Sequence, residues 1–369
     1  MVAEKVAIVY DWVDKWGGVE RVLLALHELF PKAPLFTSYI DQKGALWARN
    51  FDVHTSFIQS LPTFIKSHRA LSLPFYPYAF ESINFNEYDL VISVTSSFAK
   101  GIITRPETKH ITYLLTPTRF LWTHCQEYGV KGMNLLGELY RKRLREWDYI
   151  VAQRPDTIIS LSNTVADRCK KYYKRDSQII YPPFDVEYWT TIQKKISVAD
   201  DEDRYYLLVS RLEPYKKVDL AIKVFNKNPD KKLIIVGKGS QEKMLQKMAG
   251  QNIKLRNNLS DEQLGMLYKG AQALLMPQEE DFGYVALEAQ LFGCPVLAYG
   301  QGGATETVLE GKTGLFFSAQ TEESLSGALE KFEALSYNLK ASTVKLGPKH
   351  LEKFGKETFN KEFRRVINY

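Results

Sequence analysis

Residues 273–300, ALLMPQEEDFGYVALEAQLFGCPVLAYG, read as a short apolar strand, a polar loop, a helix opening near Gly283 and a second apolar strand. Strands that are apolar at consecutive positions are buried on both faces, and a helix joining two of them makes them parallel. The same alternation runs outward along the chain. YYLLVSR, KLIIVGKG, IKLRN and GLFFS extend it through the second half, and VAIVYDW, LFTSYI, DLVISVT, HITYLLT and TIISLS repeat it in the first. The pattern predicts an α/β protein with two doubly wound parallel sheets.

The pattern breaks at IIYPPFDVEYWTTIQKKISVADDEDRYY, which places a boundary near Pro182 and a linker before Tyr205. Residues 1–182 then form one Rossmann-like domain, 183–346 a second, and 347–369 a helical tail that packs back on the first. Two domains suit a chain of 369 residues, because single cores stop growing near ~250–300 residues. The hydrophobic fraction of 45% and charged fraction of 25% are those of a globular protein. No run approaches the ~18–20 apolar residues of a membrane span, and the N-terminus lacks signal-peptide character, so a cytoplasmic protein is expected. Cys125, Cys169 and Cys294 form no C-x-x-C pair, which argues against a zinc knuckle or a disulfide framework. A net charge of +6 points to an anionic partner.

Facing doubly wound domains bind ligands in the cleft outside the carboxyl ends of their strands, so the loops after strands matter most. After the first strand, Gly17 and Gly18 precede a helix whose N–H groups are open to an anion; the alternative is a tight turn packed on the sheet. In VSRLEPYKK, Ser210 and Arg211 follow a strand and Lys216 and Lys217 precede a helix. Those cations suit a diphosphate clamp, or else a solvated basic loop. Gly237 and Gly239 in GKG would let a flat ring lie near the backbone. Glu280 and Glu288 have the spacing E-x7-E, which at about 1.5 Å per helical residue separates them by roughly 10–12 Å. That excludes a paired carboxylate dyad. It fits a ligand with hydroxyl groups at both ends and an anionic middle held by the amides of Gly283, Tyr284 and Val285. Glu288, bracketed by Ala286, Leu287, Ala289 and Leu291, should be buried and need a partner.

SRLEPYKKVDLAI and EEDFGYVALEAQLFGCPVLAYGQGGATETV together resemble the motifs of retaining glycosyltransferase family 4, the second over some thirty consecutive positions. The resemblance implies the GT-B fold and a nucleotide-sugar donor. By it, Glu280 holds hydroxyls of the transferred hexose, Glu288 the ribose, and Arg211 and Lys216 the diphosphate, with Glu280, Arg211 and Lys216 the catalytic set. Asp281, Phe282 and Gly283 line sugar and phosphate, Gly237 and Lys238 with Asn258 and Leu259 of RNNLSDEQL seat the base, and Gly17, Gly18 and Arg119 approach from the first domain. The wording is most similar to members that use GDP-mannose, with UDP-sugars as the alternative.

The chain departs from the family pattern twice. Asn257 stands where glycine is usual, a position where asparagine also tolerates a left-handed backbone. Leu115, in YLLTPTRF, replaces the histidine that normally faces the donor sugar, leaving His124 or no residue to supply that contact. Leu115 also motivates a second reading, a catalytically weak partner subunit; a nicotinamide-dependent dehydrogenase is a third, without its fingerprint. No cofactor or metal is expected, and the triplet from Asp201 to Asp203 reads as a solvated linker run. For the acceptor, SFIQSLPTFIKSHRALSLPFYPYAFESI carries Lys66, His68 and Arg69 among aromatics, and LLGELYRKRLREW carries Arg141, Lys142, Arg143 and Arg145. Such surfaces suit a lipid-diphosphate-linked glycan at a peripheral membrane surface, or are packed faces with their charges in water. No nucleic-acid motif is present.

Overall fold

The structure, a computed structural model, describes residues 5–123, 135–196 and 204–367. His124, Cys125 and the Asp201–Asp203 triplet lie outside them. The chain divides into two compact units, one made of Met1–Pro183 with Phe359–Tyr369 and the other of Phe184–Thr358.

The first unit is built on a seven-stranded parallel sheet of β1 (Val6–Tyr10), β2 (Leu35–Thr37), β3 (Val53–Thr55), β4 (Leu90–Thr95), β5 (Lys109–Leu114), β6 (Thr157–Ser160) and β7 (Gln178–Ile179), in the order β3-β2-β1-β4-β5-β6-β7. The second has six strands, β8 (Tyr205–Val209), β9 (Lys232–Val236), β10 (Ile253–Arg256), β11 (Leu274–Met276), β12 (Val296–Tyr299) and β13 (Gly314–Phe317), in the order β10-β9-β8-β11-β12-β13. Every apolar run quoted above forms a strand. The order reverses between β1 and β4 in one sheet and between β8 and β11 in the other. In the second sheet Leu207 lies opposite Leu274 at that reversal. Helices α1 (Val19–Leu29), α2 (Leu135–Val151) and α3 (Asn163–Tyr173) belong to the first unit.

In the second unit the predicted linker is largely helix α4 (Val186–Lys195). Asp185 caps it by accepting from the Tyr188 amide at 2.9 Å, and Trp189 and Ile192, one turn apart, are buried. Spacing of i, i+3 alone marked this helix, too weakly against the prolines and acids around it. Helices α5 (Val218–Asn226), α6 (Asp261–Gly270), α7 (Tyr284–Leu291) and α8 (Glu322–Leu351) cover the sheet. Their core joins Leu208, Ile222, Phe225, Ile235, Leu275, Leu297, Leu329 and Phe332, each contributing about 1.5–3 kcal/mol by burial.

The final segment does not start at residue 347, which lies inside α8. There Gly347 brings α8 against α7: an added Cβ would stand 2.8 Å from the Gln290 carbonyl. The last helix, α9 (Lys356–Ile367), begins in the second unit and ends in the first. Its Phe359 and Phe363 rings stand 6.0 and 6.5 Å from Tyr113 of β5. Lys109 donates to the Val366 and Ile367 carbonyls at 3.1 and 3.0 Å, a cation on orphan carbonyls at a helix C-terminus.

Candidate active site

In the second unit the loops after β8 and β11 meet beyond the carboxyl edge at the point where strand order reverses, the ordinary ligand position in such sheets. The loop after β8 carries Ser210, Arg211 and Lys216. It is zipped to the loop after β9 by Ser210 N–H to Val236 O at 3.0 Å and Leu212 N–H to Lys238 O at 2.8 Å. The glycines of GKG make this possible. A Cβ at Gly237 (φ +154°) would lie 1.8 Å from the Ser210 carbonyl oxygen, and one at Gly239 2.3 Å from that of Leu212. Their open sides are therefore filled by backbone, where the sequence had suggested room for a flat ring. Gly237 N–H in turn donates to Arg256 O at 3.0 Å, which brings the Asn257–Asn258 turn to the same edge. The left-handed residue of that turn is Asn258, at φ 54°, and not Asn257, whose side chain donates to Glu242 at 2.9 Å. Lys238 and Asn258 are exposed and Leu259 is half-buried.

Lys216 is 6% exposed, and its ammonium donates to Glu280 Oε1 at 2.5 Å. Gln278 Nε2 donates to the same oxygen at 2.8 Å. Arg211 is exposed, with Nη2 on the Tyr215 hydroxyl at 2.7 Å. The backbone of the Glu280 loop is held from behind by Gly302 and Gly303. Gly303 N–H donates to Glu280 O at 2.7 Å, and a Cβ at Gly302 or Gly303 would stand 2.4 Å from Glu280 O or Phe282 Cα. Asp281 is half-buried, while Phe282 is buried against Tyr284 and Phe354, with centroids at 5.1 and 5.4 Å. Gly283, at φ 93°, starts α7, with Tyr284 and Val285 in its first turn. One face of α7 carries Glu288, 4% exposed, whose Oε2 accepts from the Tyr268 hydroxyl at 2.9 Å.

The first unit corrects one expectation. The amides of Gly17 and Gly18 are not open to an external anion: both donate to Glu20 Oε2, at 2.7 and 2.5 Å. Burial raises the Glu20 carboxyl above its ordinary value, against the pull of those amide hydrogen bonds. Arg119 opens the short helical turn Arg119–Trp122. That turn is anchored by Asp148 of α2, which accepts from Thr118 Oγ1 at 2.7 Å, Trp122 Nε1 at 2.7 Å, Tyr173 OH at 2.8 Å and Lys100 Nζ at 2.6 Å. Leu115 follows β5 and donates its amide to Thr95 O at 2.8 Å.

The basic stretches are largely occupied within the unit. Arg69 pairs with Asp14 at 2.7 Å and lies over the Trp12 ring; Lys66 donates to Gln59 O at 2.8 Å. Arg141 pairs with Glu138, and Arg145 donates to Leu121 O at 2.9 and 2.6 Å; Lys142 and Arg143 are exposed.

With this geometry in place, comparison with known proteins gives a family match within the second unit and broader likeness along the chain. Residues 190–350 match the family Glycosyl transferases group 1. D-inositol 3-phosphate glycosyltransferase of Mycobacteroides abscessus is 26% identical over 197 residues, 48% of this chain and 44% of that protein. Human alpha-1,3/1,6-mannosyltransferase ALG2 is 25% identical over 314 residues, 76% of this chain and 73% of that protein. The chain thus spans less than half the length of the first and about three quarters of the second. The crystal structure of Anabaena HepE in complex with UDP-glucose aligns with a TM-score of 0.70 at 18% identity, over 98% of this chain and 99% of that one. The fold is accordingly GT-B, two Rossmann-like parallel-sheet units.

Sequence reading found the residues at the reversal point but missed what positions them. Gln278, Tyr268, Gly302 with Gly303, and Glu20 were not singled out. Paired glycines after a strand and an acid three residues into a glycine loop were signals for the last two. A buried tyrosine on a neighbouring helix leaves none.

Proposed function

We propose that the chain is a retaining glycosyltransferase that moves a hexose, mannose from GDP-mannose, to a lipid-linked or polysaccharide acceptor in cell-surface glycan synthesis. The observation that carries this is the ion pair of buried Lys216 with half-buried Glu280 at the reversal point of the second sheet. It sets a cation suited to a diphosphate beside a carboxylate suited to sugar hydroxyls. In the reaction the bond from the anomeric carbon to the diphosphate breaks, the acceptor oxygen bonds to that carbon on the same face, and the departing phosphate takes the acceptor proton. Lys216 and Arg211 stabilise the charge growing on the diphosphate, without a metal ion, in the manner of fixed electrostatic groups. Glu280 orients the hexose and Glu288 the ribose, and the first unit takes the acceptor.

Similarity to mannosyltransferases supports mannose; the UDP-glucose complex of HepE favours, as the second reading, a UDP-sugar donor. Leu115 keeps the partner-subunit reading in view. No helix among the described residues is long and apolar enough to cross a membrane. Exposed Phe57, Phe64, Leu71, Phe75 and Tyr78 support a peripheral position at the inner face of the cytoplasmic membrane, where a lipid-linked acceptor would be met. A thermal-shift panel of GDP- and UDP-sugars tests the donor: GDP-mannose gives the largest rise in Tm, and a larger rise with a UDP-sugar overturns the mannose assignment.

A further inference from the structure

We propose that Tyr268 is a positioning residue for nucleotide recognition, its phenol holding the Glu288 carboxylate in the orientation that takes up the ribose hydroxyls. The proposal rests on the ribose role given to Glu288 above. Tyr268 lies on α6 and is fully buried, and its hydroxyl donates to Glu288 Oε2 at 2.9 Å. The ring is held in place. It stacks on Phe292, with centroids 5.9 Å apart and planes at 19°, and Phe292 meets Trp189 of α4 edge-on at 6.0 Å. One turn back on α6, Gly265 lets the helix close on the same ring: an added Cβ would stand 3.0 Å from Phe292 Cζ and 3.3 Å from Ile192. Three helices thus converge on the point from which the phenol reaches Glu288.

The choice of donor has a chemical consequence. A lysine or arginine would also satisfy a buried carboxylate, but would neutralise it. A phenol supplies one O–H and no charge, so it fixes the direction of the carboxylate without itself setting a cation beside it. Two adjacent hydroxyls bind a carboxylate well only if its plane is set beforehand, since a glutamate has three rotatable bonds to lose on binding. A hydrogen bond that merely joined α6 to α7 would affect folding and all ligands alike.

The test uses GDP and its 2′,3′-dideoxy analogue, titrated calorimetrically into the wild type, Tyr268→Phe, Glu288→Gln and the double variant. Tyr268→Phe should weaken GDP by about tenfold, the usual weight of a hydrogen bond to a charged group, and leave the dideoxy analogue within about twofold. Glu288→Gln should abolish the preference for GDP, and adding Tyr268→Phe to it should change the preference no further. Both ligands meet the same folded fraction of each variant, so their ratio is independent of any loss of folded protein. Equal weakening of the two ligands by Tyr268→Phe, or no change in their ratio, overturns the proposal while Glu288 keeps its role. If Glu288→Gln leaves the ratio of the wild type unchanged, the ribose assignment falls, and the inference with it.

Discussion

Replacing Lys216 by methionine should lower the rate of sugar transfer by about 10²–10³-fold, the usual cost of removing one preorganised electrostatic group from a transition state. Two effects combine in that loss. In the proposed site the diphosphate would lose a cation that the fold keeps 6% exposed at the sheet's reversal point. Glu280 loses the Lys216 donor on its Oε1 and keeps Gln278 there. Nucleotide affinity separates the two: if Lys216 acts mainly on the growing charge, Lys216→Met lowers kcat far more than it weakens binding of GDP. An equal loss in both would make it a ground-state binding residue. Steady-state kinetics with the donor selected by thermal shift, alongside calorimetry with GDP, reads both quantities. A rate within about threefold of the wild type would remove Lys216 from the chemistry.

The second large effect concerns stability. Lys100→Met should destabilise the first unit by about 3–5 kcal/mol, because it strips the cation from an ion pair buried on both sides. The side chains of Lys100 and Asp148 are 2% and 0% exposed. Asp148 would keep Thr118, Trp122 and Tyr173 as donors, but none of them carries a compensating charge. Lys100→Met combined with Asp148→Asn removes both charges while keeping an acceptor oxygen among Thr118, Trp122 and Tyr173, and should recover part of the loss. Urea unfolding of the two variants measures this. A Lys100→Met protein as stable as the wild type would show that Asp148 is held by its neutral donors alone.

What the sequence made legible follows the strength of its physical signals. Strands buried on both faces, such as β4 (LVISVT) and β9 (KLIIV), are written as unbroken apolar runs, so the two parallel sheets could be read directly. The edge strands β3 (VHT) and β7 (QI) are short and largely exposed and carry no such run. Helix α4 was lost for a related reason: two prolines precede it and an acidic run follows, and its buried face is only Trp189 and Ile192. At the site, residues with unusual chemistry stood out, Arg211, Lys216 and Glu280 after strands and Glu288 within an otherwise apolar helix. Their supports did not, because a phenol from α6 or a glycine pair after β12 becomes meaningful only once the fold brings it alongside. Gly237 shows the converse. The sequence marked it as important, but the reason is the Ser210 carbonyl 1.8 Å from where its Cβ would be, a contact no linear pattern contains.

In the proposed reading the second unit binds and activates a nucleotide sugar through Lys216 and Glu280. The most direct measurement is slow release of sugar from GDP-mannose and the UDP-sugars by the purified protein without acceptor, compared with Glu280→Gln. The wild type should hydrolyse one donor slowly, and Glu280→Gln should hydrolyse none while staying folded. Equal hydrolysis by the two proteins, or a wild type that neither binds nor hydrolyses any sugar nucleotide, would contradict it.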